Sequence, residues 1–133
     1  MLNKGILNPH INSLLARVRH QNMLVIADRG FTNFPGVEIV DISLVDDIPT
    51  VLQVFSAIKD QFDICHIYMA EEFQLENTNI VKNAYKQSYG NIPVTFEPSD
   101  KMKKRVPKVI GIIRTADTTQ YGNMLITSGR IDE

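Results

Sequence analysis

The chain has 133 residues, of which 44% are hydrophobic, so it can form one domain with a single core but is short for two. Its 14 Lys and Arg residues nearly balance its 15 Asp and Glu residues, which argues against nucleic acid or an anionic membrane surface as a partner. A single cysteine, Cys65, excludes an internal disulfide.

The apolar segments indicate where the protein is located and how many domains the chain forms. Cys65 lies within an apolar run, so we expect a buried thiol of the kind that persists in the reducing cytoplasm. No apolar run reaches the length of a signal peptide or a membrane span. We therefore expect a soluble, cytoplasmic protein in which residues 1–133 form a single domain.

The first helix and strand follow from the N-terminal third of the chain. Asn8 is a typical N-cap and Pro9 suits the first helical position, and the apolar residues that follow recur at helical spacing. This pattern predicts a helix that ends near Arg19 or His20. The continuous apolar run from 23 to 27 predicts a strand buried on both faces.

The rest of the chain alternates strand and helix patterns. The further predicted strands are Val37–Ile42, Ile64–Met69, Ile92–Phe96, Lys108–Arg114 and Asn123–Thr127. The further predicted helices are one that begins at Pro49, one over Leu75–Tyr89, and a short basic helix over Lys101–Arg105 whose start is the segment Pro98-Ser99-Asp100. This alternation predicts an α/β fold: a mixed, mostly parallel sheet with helices on both faces.

The sequence contains acid–base groups but none of the usual cofactor signatures. It has no P-loop, no dinucleotide-binding glycine pattern, no histidine pair at metal-ligand spacing and no nucleophile elbow. The side chains able to exchange a proton or fix a hydroxyl are His20, Asp28, Glu71, Glu72, Lys103 and Tyr121. Asp28 and Glu71 follow predicted strands at their carboxyl ends, where open α/β sheets bind ligands.

Each candidate also has a structural alternative. His20 could be favoured at a helix C-terminus because a cation there meets the negative end of the helix dipole. Asp28, two residues before Gly30, could form an Asx turn. Ser99 could be the N-cap of the basic helix, and Tyr121 could belong to a simple turn.

A set of motifs resembles a known family in both order and spacing. The matching features are Lys4-Gly5-Ile6-Leu7-Asn8, His20, Asp28-x-Gly30, Asp41, Ala70-Glu71-Glu72, Ile113-Arg114-Thr115 and Tyr121-Gly122-Asn123. Together they make the chain similar, over essentially its whole length, to the D-ribose pyranase and L-fucose mutarotase family. The resemblance implies that His20 is the catalytic acid and that Asp28, Tyr121 and Asn123 hold a sugar. Lys103 falls where the ribose members have a site lysine.

Three positions depart from the family pattern. Arg19 replaces the usual glycine before the histidine, and Asn22 replaces an aspartate. Ser99 falls at the sugar-contacting position that is histidine in ribose pyranases and arginine in fucose mutarotases. Ser99 is therefore a candidate substrate-binding residue, and the identity of the sugar stays open.

The resemblance implies a cofactor-independent isomerase that interconverts the cyclic forms of a free aldose similar to D-ribose or L-fucose. General acid–base groups would open and reclose the sugar ring, which requires no metal. The alternative is a non-catalytic monosaccharide-binding or regulatory subunit on the same scaffold, favoured by Ser99 and by the loop after Asp28, which lacks the proline-rich pattern usual in the family.

The spacing of His20 and Asp28 adds a prediction about assembly. A five-residue strand spans roughly 17 Å at about 3.3 Å per residue, so the two side chains are separated if both lie beyond its ends. We therefore expect a homo-oligomer whose sites lie between subunits. The resemblance implies the same, because the family forms ring-shaped assemblies, with a decamer as one possibility.

Overall fold

One sheet contains all six strands that residues 1–131 form in the computed structural model, which describes that part of the chain. The strands are β1 Met23–Ala27, β2 Glu38–Asp41, β3 His66–Ala70, β4 Val94–Glu97, β5 Gly111–Arg114 and β6 Met124–Thr127. Their order across the sheet is β2-β5-β1-β6-β3-β4. β6 runs antiparallel to both of its neighbours, β1 and β3, and the other pairs are parallel. Residues 132–133, the end of the predicted domain, lie outside the described residues.

Helices cover both faces of this sheet. They are α1 Pro9–Arg17, α2 Val51–Lys59, α3 Glu72–Glu76, α4 Asn79–Tyr89 and α5 Ser99–Arg105, and a 3₁₀ turn follows at Val106–Lys108. Leu14, Phe55 and Tyr85 place α1, α2 and α4 against one face. Met102 and Val106 place α5 and the 3₁₀ turn against the other. The predicted α/β class, with a mixed and mostly parallel sheet and helices on both faces, is confirmed.

Strand β1 lies between these two layers. All five of its residues are buried. Leu24 and Ile26 face the larger core, whereas Val25 and Ala27 face the smaller one. Because the strand is buried along its whole length, the residues that flank it emerge at opposite edges of the sheet.

Helix α1 ends earlier than the apolar spacing predicts. Its last residue is Arg17, and Val18 adopts an extended conformation. The Arg19 N–H donates to the Asn22 side-chain oxygen at 2.8 Å, which closes a turn before β1. His20 thus lies beyond the helix, and the helix-dipole explanation for it is wrong because that effect falls off within the last turn.

The helix predicted over Leu75–Tyr89 is in fact two helices, α3 and α4. Thr78 caps α4, because its side chain accepts a hydrogen bond from the Val81 N–H at 3.4 Å. The Asn77 side chain donates to the Phe73 carbonyl at 2.9 Å and so closes α3. Two short polar residues that compete with helical hydrogen bonds therefore break the helix.

One further prediction needs correction. Cys65 is exposed, not buried. It lies just before β3, and its N–H donates to the Thr127 carbonyl at the edge of the sheet. The basic helix begins at Ser99, within the segment Pro98-Ser99-Asp100 that the sequence predicts as its start. None of the helices that residues 1–131 form has the length and apolar character needed to cross a membrane.

Candidate active site

A cleft of about 440 Å³ opens at the edge of the sheet where the parallel strands end. Its position follows from topology: β6 separates β1 from β3, and such a switch in strand direction leaves a crevice at the carboxyl ends of the flanking strands. We call it the carboxyl-edge cleft. It is lined by Asp28, Gly30, Phe31, Thr32, Phe34, Ala70, Ser99, Met102, Lys103, Val106, Gln120, Tyr121 and Asn123.

Five of the six predicted site residues meet in this cleft. They are Asp28, Ser99, Lys103, Tyr121 and Asn123, and they come from three separate parts of the chain: the turn after β1, helix α5 and the loop before β6. The sixth, His20, does not line it. The sequence spacing alone could not have shown that residues 28, 99 and 121 are neighbours, because the sheet order brings them together.

Asp28 and Asn123 form the polar centre of the cleft. Asp28 directly follows β1, and Asn123 directly precedes the adjacent strand β6. The Asn123 Oδ1 accepts a hydrogen bond from the Asp28 N–H at 2.6 Å, so the two side chains lie next to each other. The same carboxylate accepts from the Gly30 N–H at 3.0 Å, so the predicted Asx turn is present. The turn orients Asp28 without removing it from the cleft.

The environment of Asp28 shifts its proton affinity. Partial burial raises the pKa of the Asp28 carboxyl above its ordinary value, and the nearby Asp117 carboxylate adds to the rise. The hydrogen bonds from Gly30 and Asn123 oppose it. A carboxylate whose pKa is raised in a cleft is better suited to accept and return a proton near neutral pH.

A buried network holds the loop that carries Tyr121 and Asn123. Asp117 is 3% exposed, and its carboxylate accepts from the Val51 N–H at 2.8 Å and the Thr119 N–H at 2.7 Å. Tyr121 has a φ of 55°, in the left-handed region that non-glycine residues rarely occupy. Such strain persists only where the surrounding structure imposes it, and the bond from the Thr119 N–H to Asp117 anchors the loop two residues before Tyr121.

An apolar wall faces these polar groups, and sequence reasoning missed it. Phe31 and Phe34 stack with ring centroids 5.9 Å apart, and Met102 extends the surface from α5. Arg114 at the end of β5 fixes this loop, because its guanidinium donates to the Phe31 carbonyl at 2.8 Å and to the Asn33 side chain. The available signal was the pair of aromatic residues in an otherwise polar loop.

Ser99 and Lys103 bring one face of α5 to the cleft. Ser99 is the first residue of α5 rather than its N-cap, so its predicted structural alternative is wrong. Its N–H donates to both Glu72 carboxylate oxygens, at 3.1 and 3.3 Å. The Lys103 ammonium lies close enough to help hold the pKa of Glu72 below its ordinary range.

His20 lies at the opposite edge of the sheet. It is exposed and lines a second cleft of about 460 Å³ together with Arg19, Cys65 and Gly129, among others. A β-carbon on Gly129 would come within 2.5 Å of the His20 Nδ1, so the imidazole rests against this glycine. Strand β1 therefore separates His20 from Asp28 within one chain, by roughly 17 Å of strand.

The remaining acid–base candidates stay outside the cleft lining. Glu71 is exposed, and its N–H donates to the Glu97 carbonyl at 2.8 Å. Glu72 does not line the cleft, although it accepts from the N–H of Ser99, which does. Within residues 1–131, no group of three or more His, Cys, Asp or Glu side chains is placed to hold a metal ion.

Comparison with known proteins gives consistent sequence relatives. The chain is 34% identical over 129 residues to the D-ribose pyranase of Geobacillus kaustophilus strain HTA426, covering 97% of this chain and 94% of that protein. It is 32% identical over 130 residues to the D-ribose pyranase of Geobacillus thermodenitrificans strain NG80-2, covering 97% of each.

Solved structures share the fold. Bacillus subtilis RbsD in complex with D-ribose superposes with a TM-score of 0.89 at 24% identity, covering 99% of this chain and 100% of that chain. The fucose mutarotase of Streptococcus pneumoniae in complex with L-fucose gives a TM-score of 0.77 at 16% identity, with 98% and 100% covered. The profile of the RbsD / FucU transport protein family matches residues 1–131. The chain therefore belongs to the RbsD / FucU transport protein family.

Proposed function

We propose that this protein interconverts the cyclic forms of a free aldose. The observation that carries the proposal is the meeting of Asp28, Ser99, Lys103, Tyr121 and Asn123 in one cleft, at positions where the resemblance expects sugar contacts. The sequence relatives named D-ribose pyranase support the same class of reaction. D-ribose and L-fucose are the first sugars to test.

The two sides of the cleft suit the two surfaces of a monosaccharide. Hydroxyl groups can bond to Asp28, Asn123 and the Tyr121 phenol, which together offer donors and acceptors. The C–H face of the ring can lie on the Phe31 and Phe34 wall. A volume of about 440 Å³ is within the range of small-molecule sites and leaves room for one sugar with water.

The proposed chemistry needs one proton donor and one proton acceptor. A base removes the proton of the anomeric hydroxyl while an acid protonates the ring oxygen, so the C–O ring bond breaks and the open aldehyde forms. Reclosure through another hydroxyl changes the ring size, and reclosure on the other carbonyl face inverts the anomer. His20 is our choice for the acid because the resemblance assigns it that role and a protonated imidazole nitrogen can donate its proton to a ring oxygen. Asp28 orients the sugar or accepts the proton.

The separation of His20 from Asp28 supports a site made by two chains. We propose that His20 of one subunit completes the carboxyl-edge cleft of a neighbour in a ring-shaped homo-oligomer, with the decamer as the first assembly to test. Exposed apolar side chains in the loop between β2 and α2 also favour a subunit contact, since Leu44, Val45 and Ile48 are 75%, 58% and 54% exposed. The cytoplasmic location expected from the sequence stays a prediction.

NMR exchange spectroscopy tests the function. The wild-type protein should accelerate exchange between the anomers and ring forms of D-ribose or L-fucose, and His20→Ala should reduce the acceleration by about 10²- to 10⁴-fold. His10→Ala is the matched control, since His10 is an exposed histidine on α1. Sugar binding without accelerated exchange of either sugar would instead support a non-catalytic binding subunit.

A further inference from the structure

The loop that carries Tyr121 and Asn123 rests on a buried tyrosine of α4. Tyr85 is 2% exposed, and its hydroxyl donates to the Gly122 carbonyl at 3.3 Å. Gly122 lies between the two sugar-binding candidates, and neither Gly122 nor Tyr85 lines the carboxyl-edge cleft. The Tyr85 phenol therefore reaches this loop from the core and not from the cleft.

The Tyr85 ring is itself held in place by its neighbours. It meets the Phe73 ring edge to face with centroids 4.6 Å apart, and the Tyr89 ring with centroids 6.4 Å apart. Burial and the nearby Asp117 carboxylate raise the pKa of the Tyr85 phenol, so the phenol keeps its proton and stays a donor. A packed ring with one donor can define the position of the carbonyl that it bonds.

The loop approaches Tyr85 so closely that position 122 has no room for a side chain. A β-carbon on Gly122 would lie 2.5 Å from the Tyr85 hydroxyl oxygen and 3.2 Å from the Thr119 Cβ. The Gly122 N–H also donates to the Thr119 carbonyl at 3.3 Å, so both backbone polar groups of Gly122 are bonded. Glycine here permits a close backbone approach, and any side chain would have to lift the loop or displace the phenol.

We propose that Tyr85 is a positioning residue whose hydroxyl sets the height of the 119–123 loop and thereby places Tyr121 and Asn123 for the sugar. The inference rests on the proposed function in that it takes the ligand to be a monosaccharide. Tyr85 acts through Gly122, without touching the sugar. Because binding groups must be held to within about 0.5 Å of their working positions, a small shift of this loop costs affinity even when the fold is intact.

Two buried tyrosines on α4 allow a matched test. Tyr85→Phe removes the hydroxyl that bonds the loop, whereas Tyr89→Phe removes one that bonds the Met69 sulfur. The Kd for D-ribose and for L-fucose is measured by isothermal titration calorimetry, and the urea midpoint of each variant is measured beside it. Tyr85→Phe should raise the Kd by about three- to tenfold, as expected for the loss of one hydrogen bond. Tyr89→Phe should leave the Kd unchanged, whatever its urea midpoint.

A double-mutant cycle tests the contact between Tyr85 and Gly122. Gly122→Ala should raise the Kd by about tenfold or more, because the new β-carbon displaces the loop. In the double variant with Tyr85→Phe, the atom nearest that β-carbon is gone, so the Kd should be about threefold or more below that of Gly122→Ala. The Thr119 contacts remain, so the recovery is partial. Tyr85→Phe thus weakens binding in one background and strengthens it in the other, which a general loss of stability does not do.

The outcomes distinguish this inference from the proposed function. A wild-type Kd in Tyr85→Phe, equal rises in Tyr85→Phe and Tyr89→Phe, or a double variant that binds more weakly than Gly122→Ala overturns the role of Tyr85 even if ring exchange is accelerated. If Gly122→Ala does not fold, the two tyrosine variants decide alone. The expected Kd pattern in a protein that accelerates no exchange overturns the catalytic proposal and leaves the Tyr85 inference standing. Failure of the wild type to bind either sugar overturns both.

Discussion

Asn123 supports Asp28 from the neighbouring strand, with its Oδ1 2.6 Å from the Asp28 backbone nitrogen. The same side chain lowers the pKa of the Asp28 carboxyl and so opposes the effect of burial, which means that one amide acts on both the backbone and the charged group. This contact joins residues that are 95 positions apart in the sequence, and it places the two sugar-binding candidates side by side in the cleft.

The first prediction concerns this contact. In Asn123→Asp, one oxygen can still accept from the Asp28 N–H, but a carboxylate replaces the amide donor that faces Asp28. Repulsion between the two carboxylates should weaken sugar binding by about tenfold or more, measured as Kd by calorimetry. Asn91→Asp, at an exposed turn, should bind like the wild type. An unchanged Kd in Asn123→Asp would show that this amide does not organise the cleft.

The second prediction concerns pH and stability. Burial raises the pKa of Asp28 in the folded chain, so the stability linked to this group is fully present below its unfolded pKa and is lost as the pH rises through the folded pKa. Asp28→Asn does not titrate. The free energy of unfolding of this variant, relative to wild type, should therefore increase between about pH 3 and about pH 7.

Urea unfolding at several pH values measures this difference. Asp63→Asn, an exposed carboxylate between α2 and β3, is the control and should show no comparable increase. If the free energy of unfolding of Asp28→Asn, relative to wild type, stays constant or falls over the same pH interval, the pKa of Asp28 is not raised.

The third prediction concerns the buried Asp117. Asp117→Ala removes the acceptor of the Val51 and Thr119 N–H groups and leaves two donors without their carboxylate partner. The free energy of unfolding should fall by about 2–4 kcal/mol, measured by urea denaturation. Asp60→Ala, at the exposed C-cap of α2, should change it far less. Equal effects in the two variants would mean that the Asp117 network does not stabilise the loop.

The fourth prediction concerns the apolar wall. Arg114 donates to the Phe31 carbonyl, the Asn33 side chain and the Asp41 carboxylate, which a planar guanidinium can reach together and a lysine cannot. Arg114→Lys should loosen the loop and weaken sugar binding by several-fold, measured as Kd. Arg17→Lys alters an exposed ion pair remote from the cleft and is the control. Wild-type affinity in Arg114→Lys would exclude the wall from sugar binding.

The periodicity of the sequence predicts most of the sheet and little of the cleft. The buried run at 23–27 identifies β1, because a continuous apolar segment bounded by polar residues fits a strand between two layers. The break at Asn77 and Thr78 was missed because the helical spacing that predicts this helix comes from Ile80, Val81, Ala84 and Tyr85, which all follow the break. Short polar side chains override that spacing when they find backbone partners, as both do here.

The site residues were found by family resemblance, whereas their arrangement depends on topology. Nothing local to Asp28 indicates that Asn123 is its partner, since that follows from β6 lying beside β1. The Phe31 wall and the contact of Glu72 with Ser99 likewise depend on how separate loops meet at the sheet edge. His20 and Asp28 stay apart in one chain because β1 extends fully between them.

The most direct test of the account is complementation between two inactive variants. His20→Ala and Asp28→Asn are each assayed alone by NMR exchange, then mixed in equal amounts, unfolded and refolded together. If each site takes His20 from one subunit and Asp28 from its neighbour, about one quarter of the sites in random rings are intact and activity returns to about one quarter of wild type. Mixed rings that stay as inactive as the separate variants would contradict a site shared between subunits.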